Sequence, residues 1–320
     1  MATGEKRTMH RGSFSGLSGH IRRAATGAAP FDVAPRAISS HDFQRFQALI
    51  YRESGISLSD AKAGLLTGRL SKRLRALGLN TFSEYYGRVT ADDEERRVML
   101  DAITTNETHF FREPDHFQFL EQSVLPVWRA SAESGKRART IRAWSAGCST
   151  GQEAYSLAML LVDWFPASHG WSVEILATDL SRRVLAIGEE GVWNKDKAHE
   201  IPPRYLRAYA LKGLGENQGK FKAAPAIRVI RFLRLNLNDA AYPDIGKFDL
   251  IFCRNVLIYF DAESRARTTN RLLQHLDPEG YFFVGHAESM NSTCPGLRRV
   301  MTTVYTPAEN RSAPRHATRR

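Results

Sequence analysis

Arg254 and Asn255 interrupt the apolar run Phe248–Asp261, FDLIFCRNVLIYFD. Leu250, Ile251 and Phe252 read as a strand buried on both faces of a parallel sheet, and the apolar pattern resumes at Val256. Polar groups at the C-terminal end of such a strand lie where open α/β sheets bind their ligands.

Two further corners share that character. Ala143–Glu153, AWSAGCSTGQE, runs from strand into small residues and then helix, which lets backbone N–H groups approach a ligand closely. It has no full GxGxxG and no lysine after Gly151, which argues against a dinucleotide pyrophosphate or a triphosphate. Asp179 closes the next strand, roughly 20–30 residues past the glycine turn, a place suited to accepting from two ribose hydroxyls. It equally suits the N-cap of a helix starting near Ser181. Asn236, after the strand Val229–Leu235, and Asn255 offer two carboxamides that can read the edge of an adenine. Small-residue loop, ribose acid and amides together describe a nucleoside site without a phosphate grip. S-adenosylmethionine fits that description.

The elements that must position these corners follow from periodicity. From His41 to about Leu120 the pattern is helical: Phe43, Phe46, Leu49 and Ile50 form one stripe, and Leu66, Leu70, Leu74 and Leu77 another. Gly78 reads as a C-cap, and Thr81 with Glu84 as a capping box. From Thr140 strands alternate with helices. Ile141–Ser145, Val173–Thr178, Val229–Leu235, Phe248–Cys253, Tyr281–His286 and Thr302–Tyr305 are expected as strands. Gln152–Trp164, Ser181–Ile187 and Ala262–Leu276 are expected as helices. Such alternation predicts an α/β, Rossmann-like, mainly parallel sheet covered by helices. Gly191–Arg228 breaks it and reads as a helix plus a small antiparallel β insertion, with Lys220-Phe221-Lys222 and Arg228–Phe232 as its sheet and Gly213–Gly219 as the turn. The expected division is a basic disordered tail (1–38), a helical domain (39–125), a cofactor-binding domain (126–310) and a second basic tail (311–320).

Composition narrows the class. Of 320 residues, 42% are hydrophobic and 25% charged, ordinary for a globular protein. No apolar run approaches the roughly 20 residues of a membrane span, and the basic N-terminus lacks the apolar segment of a secretory signal. Cys148, Cys253 and Cys294 form no CxxC pair. A disulfide framework and a metal site are therefore not expected, and a reducing cytoplasm is. The net charge of +11, inflated by the tails, points to an acidic or polyanionic partner.

Four motifs carry a family resemblance. Thr104–Glu113, TTNETHFFRE, resembles the TTNxTxFFR motif of the chemotaxis receptor glutamate methyltransferases, the CheR family. Ala143–Ser156 resembles that family's first cofactor motif, Phe248–Asp261 its FDxIFCRNVxIYFD motif, and Gly285-His286-Ala287-Glu288 its GHSE strand end. The match runs from about Ser39 to Tyr305. Gln152 stands where the family usually has Glu, and Ala154 where it often has Pro.

The resemblance implies a methyltransferase fold, S-adenosylmethionine as cofactor and no metal. It implies cofactor contacts at Asn106, Thr108, Arg112, Glu153, Asp179, Asn236, Leu237, Asn255 and Val256. Asn106–Arg112 lies in the link between the domains, where it can close over the cofactor. There Arg112 can pair with a carboxylate of cofactor or substrate. Tyr259 is either a substrate-placing group or a packed aromatic.

The implied reaction is methyl transfer to glutamate side chains of chemoreceptors. The implied partners are the receptors' acidic cytoplasmic helices, reached from the cytoplasm without membrane insertion. Lys62, Arg69, Lys72 and Arg73 cluster beside the leucine stripe, either as a docking face for such helices or as a solvated helix surface. The β insertion either holds a receptor tail peptide as an added strand or covers the cofactor domain. The rival readings are a nucleic-acid methyltransferase, for which no NPPY-like or catalytic cysteine motif is present, and a receptor-binding module without activity.

Overall fold

A computed structural model describes residues 37–288 and 296–310. Residues 1–36 and 311–320 of the expected tails, and Cys294, lie outside the described residues.

Four helices open the fold: α1 (Ser40–Ser54), α2 (Ala63–Leu77), α3 (Phe82–Ala91) and α4 (Asp93–Ile103). Ser39 caps α1 by accepting from Asp42 N–H, and Thr81 and Glu84 form the expected capping box on α3. The two stripes meet in one core of Phe43, Phe46, Leu49, Leu66, Leu70 and Leu74, joined by Tyr85, Met99 and Ile103.

That core ends at Ile103. The following helices, α5 (Pro114–Phe119) and α6 (Leu125–Glu133), are joined by a π-helical turn at Leu120–Val124. Their Phe117, Phe119, Leu120, Val124, Leu125 and Trp128 pack into the core under the sheet instead. The apolar cores therefore divide near residue 105, not at 125 as the helical pattern suggested. Helical periodicity continues through both regions, and only burial distinguishes which core it serves.

The main sheet has seven strands: β1 (Thr140–Ala146), β2 (Ser172–Asp179), β6 (Ile230–Arg234), β7 (Phe248–Cys253), β8 (Leu276–Val284), β9 (Leu297–Met301) and β10 (Val304–Pro307). Their order is β6-β2-β1-β7-β8-β10-β9, parallel except that β10 runs antiparallel to both neighbours. Ile141 and Ala143 face α5, α6 and α7 (Gln152–Trp164), whereas Trp144 and Ala146 face α10 (Ala262–Gln274). β1 lies between β2 and β7, so chain connections leave it in opposite directions. A ligand crevice belongs at that reversal.

Two strand expectations change. β8 starts at Leu276, five residues before Tyr281, because Leu276 pairs with Phe248 across a register shift. Pro278 and Gly280 sit in this irregular part of the strand. The expected final strand at Thr302–Tyr305 is a hairpin, β9 to β10, that turns at Thr302 and Thr303.

The insertion forms a separate three-stranded antiparallel sheet: β3 (Val192–Asn194), β4 (Ala210–Lys212) and β5 (Lys220–Ala223), in the order β3-β5-β4. Lys220–Lys222 is in it as expected, with Gly213–Gly219 between β4 and β5. Arg228–Phe232 is not: Ile230–Arg234 pairs in parallel with Ile175–Asp179 as the edge of the main sheet. An edge strand with alternating exposure looks the same in sequence whichever sheet it joins.

Candidate cofactor and substrate site

A cavity of about 610 Å³ opens at the C-terminal ends of β1, β2, β6 and β7, within the size range of small-molecule sites. Its remaining walls are the link at residues 103–112 and the segment after α1, Ser54–Lys62. Asn106, Thr108, Arg112, Glu153, Asp179, Asn236, Leu237, Asn255, Val256 and Tyr259 all line it, as do Lys62 and Arg69.

The floor is built from backbone. Gly147 and Cys148 N–H donate to the Thr178 carbonyl at 2.8 and 2.9 Å. Gly147 has φ +85°, and a Cβ there would overlap the Val256 side chain, so only glycine fits. Ser149 N–H donates to Asp179 Oδ2 and Ser181 N–H to Oδ1, each at 2.9 Å. Asp179 is not the cap of α8 (Arg182–Glu190), since the Ser181 hydroxyl accepts from Val184 N–H. Burial raises the Asp179 pKa, partly offset by these N–H groups. Each oxygen keeps acceptor capacity for one further donor.

Arg254 does not face the cavity as a free polar group. It is 5% exposed, and its Nε donates to Glu153 Oε2 at 2.7 Å. One Nη1 reaches the Arg112 carbonyl at 2.6 Å and His116 Nδ1 at 3.2 Å, with Glu113 3.5 Å away. Glu153 also accepts from the Ser145 hydroxyl at 2.7 Å. Buried beside this guanidinium, His116 has its pKa lowered to about 3 and is neutral. Glu113, His116 and His286 bring ligand atoms within 4.8 Å of one another. Arg254 is bonded to the His116 lone pair, so a metal ion there would meet a fixed positive charge.

The two carboxamides differ. Asn236 Nδ2 donates to the Glu53 carbonyl at 2.7 Å and its Oδ1 accepts from Asn238 N–H at 3.0 Å, leaving one N–H for a ligand. The Asn255 carboxamide has no hydrogen-bond partner among the described residues. Asn255, Ser149, Phe111 and Glu113 are four of the five described non-glycine residues with positive φ. Strained backbone of that kind concentrates at functional sites.

The link itself is pinned. Asn106 carbonyl accepts from the Ser149 hydroxyl, Phe110 N–H donates to Glu200, and Phe111 N–H to the Ser156 hydroxyl. It walls the cavity as a fixed element rather than a loose flap. Arg112 is the exception: among the described residues its guanidinium makes only a 3.5 Å contact to the Glu107 carbonyl.

The basic face separates into two kinds of residue. Lys72 is exposed and Lys62 is exposed at the cavity mouth. Arg73 is half-buried and grips buried Glu95 through two bonds of 2.9 and 2.5 Å, and Tyr85 hydroxyl donates to the same carboxylate. Arg69 is tied to the Ile103 carbonyl and the Thr105 hydroxyl. Helical spacing put all four on one side, but it cannot see Glu95 arriving from α4.

Residues 106–306 match the model of the CheR methyltransferase, SAM binding domain, and residues 41–104 that of the CheR methyltransferase, all-alpha domain. The chain belongs to the CheR methyltransferase family. Chemotaxis protein methyltransferase 2 of Pseudomonas aeruginosa is 38% identical over 83% of this chain and 93% of its own length. The chemotaxis protein methyltransferase of Escherichia coli is 34% identical over 80% and 86%. The chain is accordingly an S-adenosylmethionine-dependent methyltransferase of chemotaxis. The cavity fits that cofactor: it offers a carboxylate with two free acceptor positions, an unpartnered carboxamide and an unspent guanidinium, and no phosphate loop. Among the described residues no helix is long and apolar enough to cross a membrane.

Proposed function

We propose that the enzyme methylates glutamate side chains on the acidic cytoplasmic helices of chemoreceptors, giving glutamate methyl esters and S-adenosylhomocysteine. It works in the cytoplasm and meets the membrane only through its receptors. The observation that carries this reading is the Arg112 guanidinium, which projects into the cofactor cavity with one weak protein contact. A cation so placed holds a carboxylate by charge-assisted bonds.

S-adenosylmethionine, when bound, supplies a methyl group on an electrophilic sulfonium. Asp179 would hold the ribose hydroxyls on its two free acceptor positions. Asn255 and the remaining Asn236 N–H would bind the adenine edge, and Leu237 and Val256 its apolar ring. Asn106, Thr108, Arg112 and Glu153 would hold the amino acid end. Glu153 is held in place by Arg254 and Ser145.

Among the described residues no histidine lines the cavity, and the reaction needs no base, because a glutamate of pKa about 4.3 is already ionised at neutral pH. What the site must supply is alignment and removal of water from the carboxylate. Arg112 and Tyr259, whose hydroxyl has no partner among the described residues, do this at the mouth. Lys62 and Lys72 attract the acidic helix, and Arg69 shapes the wall between them. The helical layer and the cofactor-binding layer act as two domains that share this mouth.

Labelled methyl transfer to receptor-bearing membranes, compared with RNA and DNA, tests the assignment. The label should go to receptor and leave as methanol in mild alkali. Label on nucleic acid, or label stable to alkali, overturns it.

A further inference from the structure

One buried carboxylate ties the end of β7 to the end of β8. Glu288 is 2% exposed, and no ion pair to it is present among the described residues. Backbone N–H groups hold its charge instead. Oε2 accepts from Gly285 at 2.6 Å and Asn255 at 2.7 Å, and Oε1 from Ile258 at 3.1 Å. Convergent backbone N–H groups of this kind form anion-binding concavities in many proteins. Here the concavity is filled by the protein's own side chain.

Asn255 sits in the left-handed region at φ +60°, which asparagine enters more readily than most residues with a Cβ but still at a cost that the surroundings must offset. The fit leaves no slack: a Cβ on Gly285 would lie 2.7 Å from Asn255 Nδ2 and 2.8 Å from Glu288 Oε2. With no hydrogen bond of its own, the Asn255 carboxamide takes its direction from this backbone. Ile258, the third donor, precedes Tyr259 at the cavity mouth.

We infer that Glu288 is a positioning residue for cofactor recognition, holding Asn255 in the strained conformation that aims its carboxamide at the adenine. The inference rests on the proposed adenine role of Asn255. Glutamine at this position keeps the shape but accepts at one oxygen only. With that oxygen on Gly285 and Asn255, its NH2 group meets the Ile258 N–H, donor against donor, and the turn from Asn255 to Ile258 loosens.

The test compares S-adenosylhomocysteine with S-inosylhomocysteine, in which a carbonyl replaces the adenine amino group. Calorimetry gives both affinities for the wild type, Glu288→Gln and Asn255→Ala, with melting temperatures alongside. The wild type should prefer the adenine ligand by about tenfold or more, as one hydrogen-bonded edge allows. Both variants should lose most of that ratio, chiefly by weaker binding of the adenine ligand. A residue that only supports the fold would lower both affinities equally, and an unchanged ratio in Glu288→Gln with a collapsed ratio in Asn255→Ala overturns the inference alone. An unchanged ratio in Asn255→Ala, or no preference in the wild type, overturns the adenine role itself. If Glu288→Gln does not fold, Glu288→Asp, which keeps the charge but shortens the reach to Ile258, is read the same way.

Discussion

Asp179→Asn tests the proposed ribose contact. Each oxygen of Asp179 already accepts one backbone N–H, from Ser181 and from Ser149, both at 2.9 Å. Two acceptor positions therefore remain, one for each ribose hydroxyl. Asparagine keeps the volume but replaces one oxygen by NH2, which faces a fixed backbone N–H and donates where it should accept. Loss of one charged hydrogen bond costs about 1.5–3 kcal/mol, which weakens S-adenosylhomocysteine by about 10- to 150-fold. Titration calorimetry measures that loss, with melting temperature as a control because the Ser149 loop shares the carboxylate. The effect should shrink for the 2′-deoxy analogue, which has already lost one of the two donors. Unchanged affinity in a folded variant, or the same loss with both ligands, refutes the reasoning.

Four further outcomes follow from the geometry. Lys72→Glu should slow receptor methylation, more so at low ionic strength, without changing cofactor affinity; equal rates would make this a merely solvated face. Arg73→Met should instead lower stability by about 2–3 kcal/mol, because Glu95 is left buried with only Tyr85 beside it, and an unaltered melting temperature would remove the ion pair from the account. His116 stays neutral in the fold down to about pH 3, while the unfolded chain protonates it near 6.5, so its contribution to stability falls as pH drops through that interval. His116→Gln should accordingly lose about 2 kcal/mol less than the wild type between pH 7 and pH 5, and parallel profiles would refute it. A receptor tail peptide should bind the three-stranded insertion, whose edge strands are β3 and β4, by strand addition; no binding, with equal methylation of tail-truncated receptors, rejects that docking.

How far these residues could be read from sequence depends on what sets each one. β7 and α7 come out with the bounds predicted, because an apolar run buried on both faces and a strongly apolar helix leave no alternative period. The Thr81 capping box is equally local. Glu95 is not: its pairing with Arg73 joins residues 22 apart through two helices, and nothing in either segment announces it. Glu288 belonged to a motif, GHAE, yet its three N–H donors come from two strand ends and become visible only when those ends meet. Glu113 and His116 were missed as partners of Arg254 for the same reason.

Arg254 shows what such long-range partners decide. At a strand end its charge reads as ligand-facing, and in sequence Arg112 and Arg254 look like equivalent cations. The fold separates them by burial. Arg254, with Glu153 and Glu113 around it, is neutralised and pulls the Arg112 backbone against β7. Arg112 is thereby held by its carbonyl while its guanidinium stays unspent. The helical layer meets the same loop directly, since Ser57 N–H donates to the Tyr259 carbonyl at 2.8 Å and Tyr51 hydroxyl to Asp261 at 2.8 Å. The wall that carries Lys62 is thus bonded to the turn that carries Tyr259. On the proposed docking, a target helix drawn to one would be delivered against the other, and the alignment that an ionised glutamate requires would be supplied by packing rather than by proton transfer.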